Sequence, residues 1–481
     1  MSISHALSNA LSGLTAASRG AEVVAANVAN ANTEGYGRRR LDLTSQQVGG
    51  RGAGVQIDGI TRIVDRNILS ERRLAEATLS RDDRLAGALR QLEALYGGVG
   101  SEMGLEARLT ALEQALVSSS SDPASEVRLR SVLDRLGDLS DSLNSASDGI
   151  QQMRLDAEEQ IASDVDLLNR SLQQVQLLNS DISRMLNIGQ DPSGLMDQRQ
   201  KVIDTISNIV PVREMRRDGG LVALMTTSGQ MLIDGPAAEI GFERRNSITP
   251  DMTLTSGGLV GLTIYGNPVV GSTGAGRLSG GSLGAAFALR DELLVDAQTE
   301  LDNIAADLAL RFQDSTVDPT VVAGAPGLLT DAGAEVDPSD IVGLSARIAV
   351  NAAVDPDTGG DLWRLRDGVA ATAQGPAGRS DQLVAWSDAL SALRADTSGV
   401  SRSAAGHVGV LVTSLASDRL SADDDVAFAT ARWETVRQAQ LADGVDTDYE
   451  MQMLLRIEES YSANARVMET INVLMRELLE I

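Results

Sequence analysis

Residues 444–479 read GVDTDYEMQMLLRIEESYSANARVMETINVLMRELL and form one of the two most regular segments of the chain. Apolar side chains recur there at alternating spacings of three and four residues, a 3.5-residue repeat that is typical of a coiled-coil seam. The pattern predicts a long helix with a narrow, bulky apolar stripe. The stripe consists of Leu454, Ile457, Tyr461, Asn464, Met468, Ile471, Met475 and Leu478.

The opening segment of the chain carries a matching seam with the same alternating spacing. It is rich in alanine, so a partner backbone could approach it closely. A helix with so narrow a stripe is marginal in water on its own. We therefore expect each terminal helix to pack against a partner, which could be the other terminal helix, a neighbouring subunit or a chaperone. An ordinary amphipathic surface helix is the alternative. The positions are Ile3, Leu7, Ala10, Leu14, Ala17, Ala21, Val24 and Val28.

Between these ends the sequence predicts a discontinuous helical body that encloses a β-rich insert. A long helical pattern from Gly149 to Asn187 predicts a rod of roughly 57 Å, and Gly189 and the residues after it break the pattern. Segment 209–235 has short apolar runs separated by Asp-Gly-Gly and Ser-Gly, which favour hairpins. The glycine-rich run from Gly49 is interpreted as turns.

The predicted fold class is mixed, mainly α with a β-rich central insert. Its N- and C-terminal helices would pair as a coiled coil around a discontinuous helical-bundle body with outer β domains. Nested order of this kind brings the two termini together. The predicted segments are an N-terminal coiled-coil segment at 1–48, helical body at 49–208, a β-rich outer domain at 209–277, a return helix at 278–318, a variable Gly/Asp/Pro-rich outer region at 319–400, the last helical body at 401–442 and the C-terminal coiled-coil helix at 443–481.

Composition excludes several classes of partner. The 481-residue chain has a formal net charge of −26, and Lys201 is its only lysine. Nucleic acid and anionic membranes both require basic surfaces, so neither is expected as a partner. The chain has no cysteine. It shows no basic, apolar signal-peptide pattern at its start and no apolar run long enough for a membrane span.

No constellation of residues predicts catalysis. The two histidines, His5 and His407, lack a cysteine or second histidine at metal-ligand spacing. The glycine-rich runs lack the lysine and serine or threonine of a phosphate-binding loop. We therefore expect no enzyme activity, cofactor or bound metal. A cytoplasmic helical adaptor or enzyme with heptad-patterned ends is the alternative from another class.

Residues 25–39 read AANVANANTEGYGRR, and this string resembles the signature of the flagellar rod, hook and hook-associated axial proteins. Asparagine and threonine terminate helices, and glycine permits a left-handed turn. Gly37 departs from the more usual serine. The arginines that follow make the string most similar to the junction-forming hook-associated members of the family. The candidate assembly residues are Asn27, Asn30, Thr33, Gly35, Tyr36, Arg38 and Arg39.

Two further segments support this resemblance. Residues 444–479 are similar to the closing helix of the junction-forming members, and residues 278–312 are similar to their return helix. The resemblance implies a structural subunit at the junction of hook and filament in the extracellular flagellum, exported by the flagellar type III pathway without a cleaved signal. It implies as partners like subunits in a ring, the hook protein, a second hook-associated protein and an export chaperone on the C-terminal helix. A hook or distal-rod subunit is the alternative.

Overall fold

The computed structural model describes residues 3–48, 51–269, 274–395 and 399–479, and the described chain is mainly helical. The helices are α1 (Ile3–Ala29), α2 (Arg66–Tyr96), α3 (Leu105–Ser121), α4 (Glu126–Asn187), α5 (Ser193–Ile209), α6 (Gly281–Ala288), α7 (Leu294–Gln313), α8 (Leu344–Arg347), α9 (Arg364–Asp367), α10 (Asp381–Ser391), α11 (Ala404–Ala442) and α12 (Thr447–Leu479). The strands are β1 (Arg38–Val48), β2 (Arg51–Ile63), β3 (Val212–Arg216), β4 (Val222–Thr226), β5 (Met231–Ile233), β6 (Ile240–Gly241), β7 (Thr263–Ile264), β8 (Asn267–Pro268), β9 (Leu329–Asp331), β10 (Ile348–Val350), β11 (Arg394–Ala395) and β12 (Ser401–Arg402).

The chain divides into two compact units. The first unit, called the terminal unit below, comprises residues 1–80, 166–239 and 428–481. The second, called the central unit, comprises residues 81–165 and 240–427. Within the described residues, no helix combines the length and apolar character that crossing a bilayer requires.

In the terminal unit, α1 packs against α12 and against a long antiparallel hairpin formed by β1 and β2. The two strands correct the sequence prediction, which assigned them to the coiled-coil segment 1–48 and the helical body 49–208. Of the glycine-rich run that was interpreted as turns, residues 51–59 belong to β2, and Gly49 and Gly50 lie outside the described residues. The apolar side chains of the hairpin alternate with a period of two, which suits a strand. Leu41 lies opposite Ile60, and Leu43 opposite Ile57.

The predicted hairpins of segment 209–235 are confirmed as a three-stranded antiparallel sheet in the order β3-β4-β5. Asn179 of α4 holds this sheet, because its side chain both donates to the Val222 carbonyl at 2.9 Å and accepts from the Val222 amide at 3.2 Å. The predicted β-rich outer domain 209–277 is corrected: it divides after Glu239, and β6, β7 and β8 form a separate small sheet in the central unit.

Helix α4 begins earlier than the sequence pattern predicts. It starts at Glu126 instead of Gly149, because buried residues before Gly149 continue its apolar stripe. Its end at Asn187 confirms the predicted break, and Gly189 follows in a left-handed conformation with φ of 71°. The buried residues of the early part are Leu129, Val132, Leu133, Leu136, Leu139, Leu143 and Ala146.

The core of the central unit joins helices to short elements. Leu109 of α3 and Phe312 of α7 lie in the same hydrophobic cluster as Trp386 of α10 and Leu365 of α9, and all four are fully buried. Phe312 and Trp386 meet edge to face with ring centroids 6.4 Å apart. The predicted outer region 319–400 is therefore corrected: it supplies part of the core instead of forming a separate layer.

A π-helical turn, Leu289–Leu293, lies between α6 and α7. It contains Arg290, whose fully buried guanidinium pairs with the fully buried Glu158 at 2.6 Å and with Asp291 at 2.7 Å. The ring of Phe287 lies 4.8 Å from this guanidinium. Burial opposes the charge of Arg290, but its hydrogen bonds to Asp291 and Glu158 raise its pKa. The turn thus fixes a paired charge inside the central unit.

Candidate assembly site

Helices α1 and α12 meet in an antiparallel register with steps of seven residues. A Cβ atom added to Gly13 would lie 2.7 Å from the side-chain nitrogen of Asn464, and one added to Gly20 would lie 3.2 Å from Cδ1 of Ile457. The third step is a hydrogen bond from Asn27 to Glu450 at 3.1 Å. Glycine permits the close approach of the two helices at the first two steps, and a buried polar contact closes the third.

Asn27 is the centre of the third step. It is almost fully buried, and its side-chain amide uses every hydrogen-bonding position that it has. Its nitrogen donates to Glu450 and to the Arg39 carbonyl at 2.8 Å. Its oxygen accepts from the Tyr36 hydroxyl at 2.8 Å and from the Arg39 amide at 2.9 Å. One side chain thus fastens the end of α1 to the start of β1 and to α12.

Glu450 is the buried carboxylate of α12, with an exposed fraction of 1%. Its second oxygen accepts from Nε of Arg38 at 2.7 Å. The guanidinium of Arg38 also lies 4.7 Å from the ring centroid of Tyr449. Partial burial opposes the charge of Arg38, but the hydrogen bond and the charge of Glu450 raise its pKa. The carboxylate from one end of the chain is therefore neutralised by the other end.

Asp197 of α5 forms a second polar centre next to Asn27. It accepts from the Gly37 amide at 3.0 Å, from Arg39 at 3.1 Å and from Arg62 at 2.6 Å. A Cβ atom added to Gly37 would crowd the side chain of Arg62 and would lie 2.8 Å from its Cγ. Glycine at this position, in place of the more usual serine, leaves room for Arg62 beside Asp197.

The remaining candidate assembly residues form the turn that follows α1. Asn30 caps the helix by donating to the Ala26 carbonyl at 2.9 Å, and Thr33 donates to Asn30 at 3.2 Å. Gly35 has a φ of 76°, which favours glycine. The ring of Tyr36 stacks beside the guanidinium of Arg39 at 4.9 Å. The seven candidate residues thus lie at the end of α1, in the turn that follows it and at the start of β1.

The predicted seam residues are unequally buried. In α1 the seam alternates between buried and half-buried side chains. Tyr461 and Met475 of α12 are nearly half exposed, and the side chain of Leu478 lies outside the described residues. Buried seam residues are Ala10, Ala17, Val24 and Ile471; half-buried ones are Ile3, Leu7, Leu14, Ala21, Val28, Leu454, Ile457, Asn464 and Met468.

Sequence reasoning missed Gly13, Gly20, Asp197 and Arg62, and it placed Glu450 in the closing-helix motif without assigning it a partner. The first two carried a signal, because Gly13, Gly20 and Asn27 are spaced by seven residues on one helix. Asp197 carried none that distinguished it from the many other acidic residues. Across the described ranges, no cluster of three or more histidine, aspartate or glutamate side chains is placed to hold a metal ion.

Two protein families match the chain. Residues 89–327 match the model described as "Flagellar hook-associated protein FlgK helical domain". Residues 7–36 match the model described as "Flagella basal body rod protein". The second match ends at Tyr36 and includes Asn27, so it covers the turn described above.

The curated relatives that match the chain share the name flagellar hook-associated protein 1. The flagellar hook-associated protein 1 of Bacillus subtilis is 24% identical over 98% of this chain and 96% of its own length. The flagellar hook-associated protein 1 of Salmonella typhimurium is 28% identical over 65% of this chain. The chain spans only 56% of that Salmonella relative.

Among solved structures, the flagellar hook junction protein FlgK from Burkholderia pseudomallei aligns with a TM-score of 0.44 and 20% identity, over 55% of this chain and 47% of that one. The helical-domain model and the relatives together cover both the central helices and the terminal turn. The chain is therefore similar to the flagellar hook-associated protein 1 family in its central helices and in its terminal turn.

Proposed function

We propose that the chain is a structural subunit of the bacterial flagellum, which forms a ring of like subunits at the junction of hook and filament. The hook protein would lie on one side of the ring and a second hook-associated protein on the other. The names of the matched relatives support this assignment. The rod-protein match at residues 7–36 fits any axial subunit, so a hook or distal-rod subunit remains the second candidate.

The terminal helices would assemble as an antiparallel coiled coil. The observation that carries this proposal is the seven-residue register of Gly13 with Asn464, Gly20 with Ile457 and Asn27 with Glu450. Burial of apolar seam side chains favours pairing by about 1.5–3 kcal/mol for each fully buried large residue. The loss of conformational entropy on ordering two long segments opposes pairing. Because the seams are only partly buried, contacts with neighbouring subunits would supply part of the association energy.

Export would precede this pairing. The chain would pass unfolded through the flagellar type III pathway without a cleaved signal, with both terminal helices unpaired. Helix α12 exposes large apolar side chains even when it is packed on α1, among them Leu455 at 58%, Val467 at 46% and Leu474 at 44%. A surface of this kind promotes association in the cytoplasm, and an export chaperone on the C-terminal helix would cover it.

Deletion of the gene tests the position in the flagellum. Electron microscopy of the deleted strain is expected to show hooks without filaments, with flagellin released into the medium. Loss of the hooks themselves would favour the hook or rod alternative. Normal filaments on the deleted strain would contradict both. Re-expression of the intact chain is the control, and it is expected to restore filaments.

Disulfide trapping tests the helix register, because the chain has no cysteine of its own. The Cγ atom of Asn464 lies 2.8 Å from the Cβ position of Gly13, and in a disulfide each Cβ lies roughly 3 Å from the far sulfur. The double variant Gly13→Cys with Asn464→Cys is expected to oxidise within one chain. Its matched control, Gly13→Cys with Ile457→Cys, is shifted by one heptad and is expected to stay reduced. Equal oxidation of both pairs would contradict a fixed register.

A further inference from the structure

A basic pocket in the terminal unit is not explained by helix pairing. It has a volume of about 410 Å³ and lies between the start of α2, the middle of α5 and strand β3. Apolar side chains such as Leu69, Ile203 and Val212 form part of its wall. Its arginines are Arg62, Arg66, Arg73, Arg199, Arg213 and Arg216. So dense a positive site is unexpected in a chain with a net charge of −26.

Two of these arginines have carboxylate partners. Arg62 pairs with Asp197 at 2.6 Å. Arg73 pairs with Asp204 at 2.6 Å and with Glu214 at 2.9 Å. These pairs use Asp197, Asp204 and Glu214, and the other arginines of the pocket form no ion pair of their own within the described part of the chain.

The other four, Arg66, Arg199, Arg213 and Arg216, make no ion pair with any carboxylate in the described ranges of the chain. Arg199 is the most unusual of them, because it is only 8% exposed. Its hydrogen bonds at Nη1 go to neutral oxygens, the Asn179 side chain at 2.8 Å and the Gly220 carbonyl at 2.8 Å. A buried guanidinium that is not paired with a carboxylate is costly. Binding of an anion in this pocket would therefore be favourable.

The charges of the pocket also act on one another. Burial, followed by the positive charges of Arg62 and Arg216, lowers the pKa of Arg199 to about 10, although Glu214 opposes the shift. The pKa of Arg216 is lowered by partial burial and then by the charges of Arg66 and Arg62. A bound oxyanion would relieve this repulsion, and planar guanidinium groups suit the oxygens of a carboxylate, sulfate or phosphate.

We propose that this pocket is an oxyanion site whose occupant is an acidic side chain of a second copy of the chain. The chain carries 67 acidic against 41 basic residues, so a second copy presents an excess of carboxylates to any basic pocket. The site would add a charged contact between subunits. The inference rests on the proposed self-assembly, but it concerns a different surface from the α1–α12 pair.

The first experiment measures oxyanion binding with sodium sulfate as the probe. At constant ionic strength, replacement of chloride by sulfate is expected to raise Tm by roughly 1.5 °C when sulfate exceeds its Kd about tenfold. The variant Arg213→Gln with Arg216→Gln alters two exposed side chains and is expected to lose this shift. Arg217→Gln is the matched control, because Arg217 is exposed on the same segment, pairs with Asp234 and does not line the pocket. No shift in the intact chain, or an equal shift in all three proteins, would overturn the site.

The second experiment identifies the source of the anion with a carbodiimide, which joins lysine amines to carboxylates. The chain has one native lysine, so Arg213→Lys places a second, traceable amine at the pocket. Cross-linked dimers that contain position 213 are expected, and sulfate should suppress them. Arg217→Lys is the control and should form markedly fewer dimers. Equal or absent dimers would overturn the second copy as occupant, and with a sulfate shift present they would assign the site to a small anion.

These outcomes can be separated from a failure of the proposed function. The glutamine variants leave Gly13, Asn464 and the terminal helices untouched, so their disulfide trapping is expected to match that of the unmodified background. Loss of trapping would point to the terminal helices, whereas loss of the sulfate shift alone would point to the pocket.

Discussion

The side chain of Asn27 donates a hydrogen bond to Glu450 across 423 residues of sequence. Both side chains are 1% exposed. Because each has further partners near the start of the chain, the contact joins two ends that are separated by almost the entire sequence. A buried polar contact of this kind specifies register, since a shifted pairing would leave its groups unsatisfied.

Removal of the Glu450 carboxylate should therefore loosen the terminal unit. Glu450→Ala leaves Nε of Arg38 without its acceptor and the amide nitrogen of Asn27 with one acceptor instead of two, which is expected to cost about 2–3 kcal/mol. Urea unfolding followed by circular dichroism measures this loss. Glu458→Ala, at an exposed position of the same helix, is the control and is expected to change the free energy of unfolding by less than about 0.5 kcal/mol. Equal effects would mean that burial of Glu450 contributes nothing.

Substitution of Gly20 in α1 is expected to destabilise the protein for a different reason, because the two helices pack closely there. Gly20→Ala places a methyl group 3.2 Å from Cδ1 of Ile457, so we expect the helices to separate slightly and the protein to lose about 1 kcal/mol. Ile457→Val removes that Cδ1 atom, and the double variant is expected to recover part of the loss. Thermal unfolding of the unmodified chain, the two single variants and the double variant completes a double-mutant cycle.

Gly137→Ala is the matched control for this cycle. Gly137 lies inside α4, and a Cβ atom there would meet no heavy atom within 4 Å. This variant is expected to stabilise the chain by about 0.5–1 kcal/mol, the general preference of a helix for alanine. A gain of the same size at Gly20 would exclude close helix approach as the reason for glycine.

The stability of the terminal unit is expected to fall at alkaline pH because Tyr36 ionises there. Burial raises the pKa of its phenol above the usual value of a tyrosine, although the charge of Arg39 opposes the shift. The stabilising contribution of the neutral phenol is therefore complete below about pH 10 and is lost as pH rises through the raised pKa. Tyr36→Phe is expected to lower stability by about 1 kcal/mol near neutral pH and to flatten this alkaline decline. Urea unfolding at a series of alkaline pH values measures both effects.

The buried ion pair of the central unit predicts a larger effect. Glu158→Ala leaves the fully buried Arg290 without one of its two carboxylates, and a loss of about 3–5 kcal/mol is expected. Arg244→Ala breaks a mostly exposed pair with Glu159 and should cost at most about 1 kcal/mol. Calorimetry of the whole chain measures both. Similar losses would mean that Arg290 finds another partner.

Much of the helical architecture could be predicted because it depends on local periodicity. The break after Asn187 and the hairpins after Ile209 follow from glycine, proline and apolar spacing. The β1–β2 hairpin could not be predicted, because the glycines in β2 indicate turns when they are considered alone. Only the pairing of β2 with β1 makes this glycine-rich segment a strand. The contact of Asn27 with Glu450 could not be predicted either, because the closing-helix motif placed Glu450 without indicating its partner, and Asp197 resembles other acidic residues until the fold brings it to Gly37, Arg39 and Arg62.

The contact between α1 and α12 makes nearly the whole chain a single closed loop. For a flexible loop, the entropy of closure grows only with the logarithm of length, so doubling the intervening sequence would add about 0.6 kcal/mol to the cost of bringing the helices together. Insertions and deletions in the middle are thus nearly neutral for the junction between the ends. The register of Asn27 with Glu450 is therefore expected to tolerate changes in the length of the chain between the two helices.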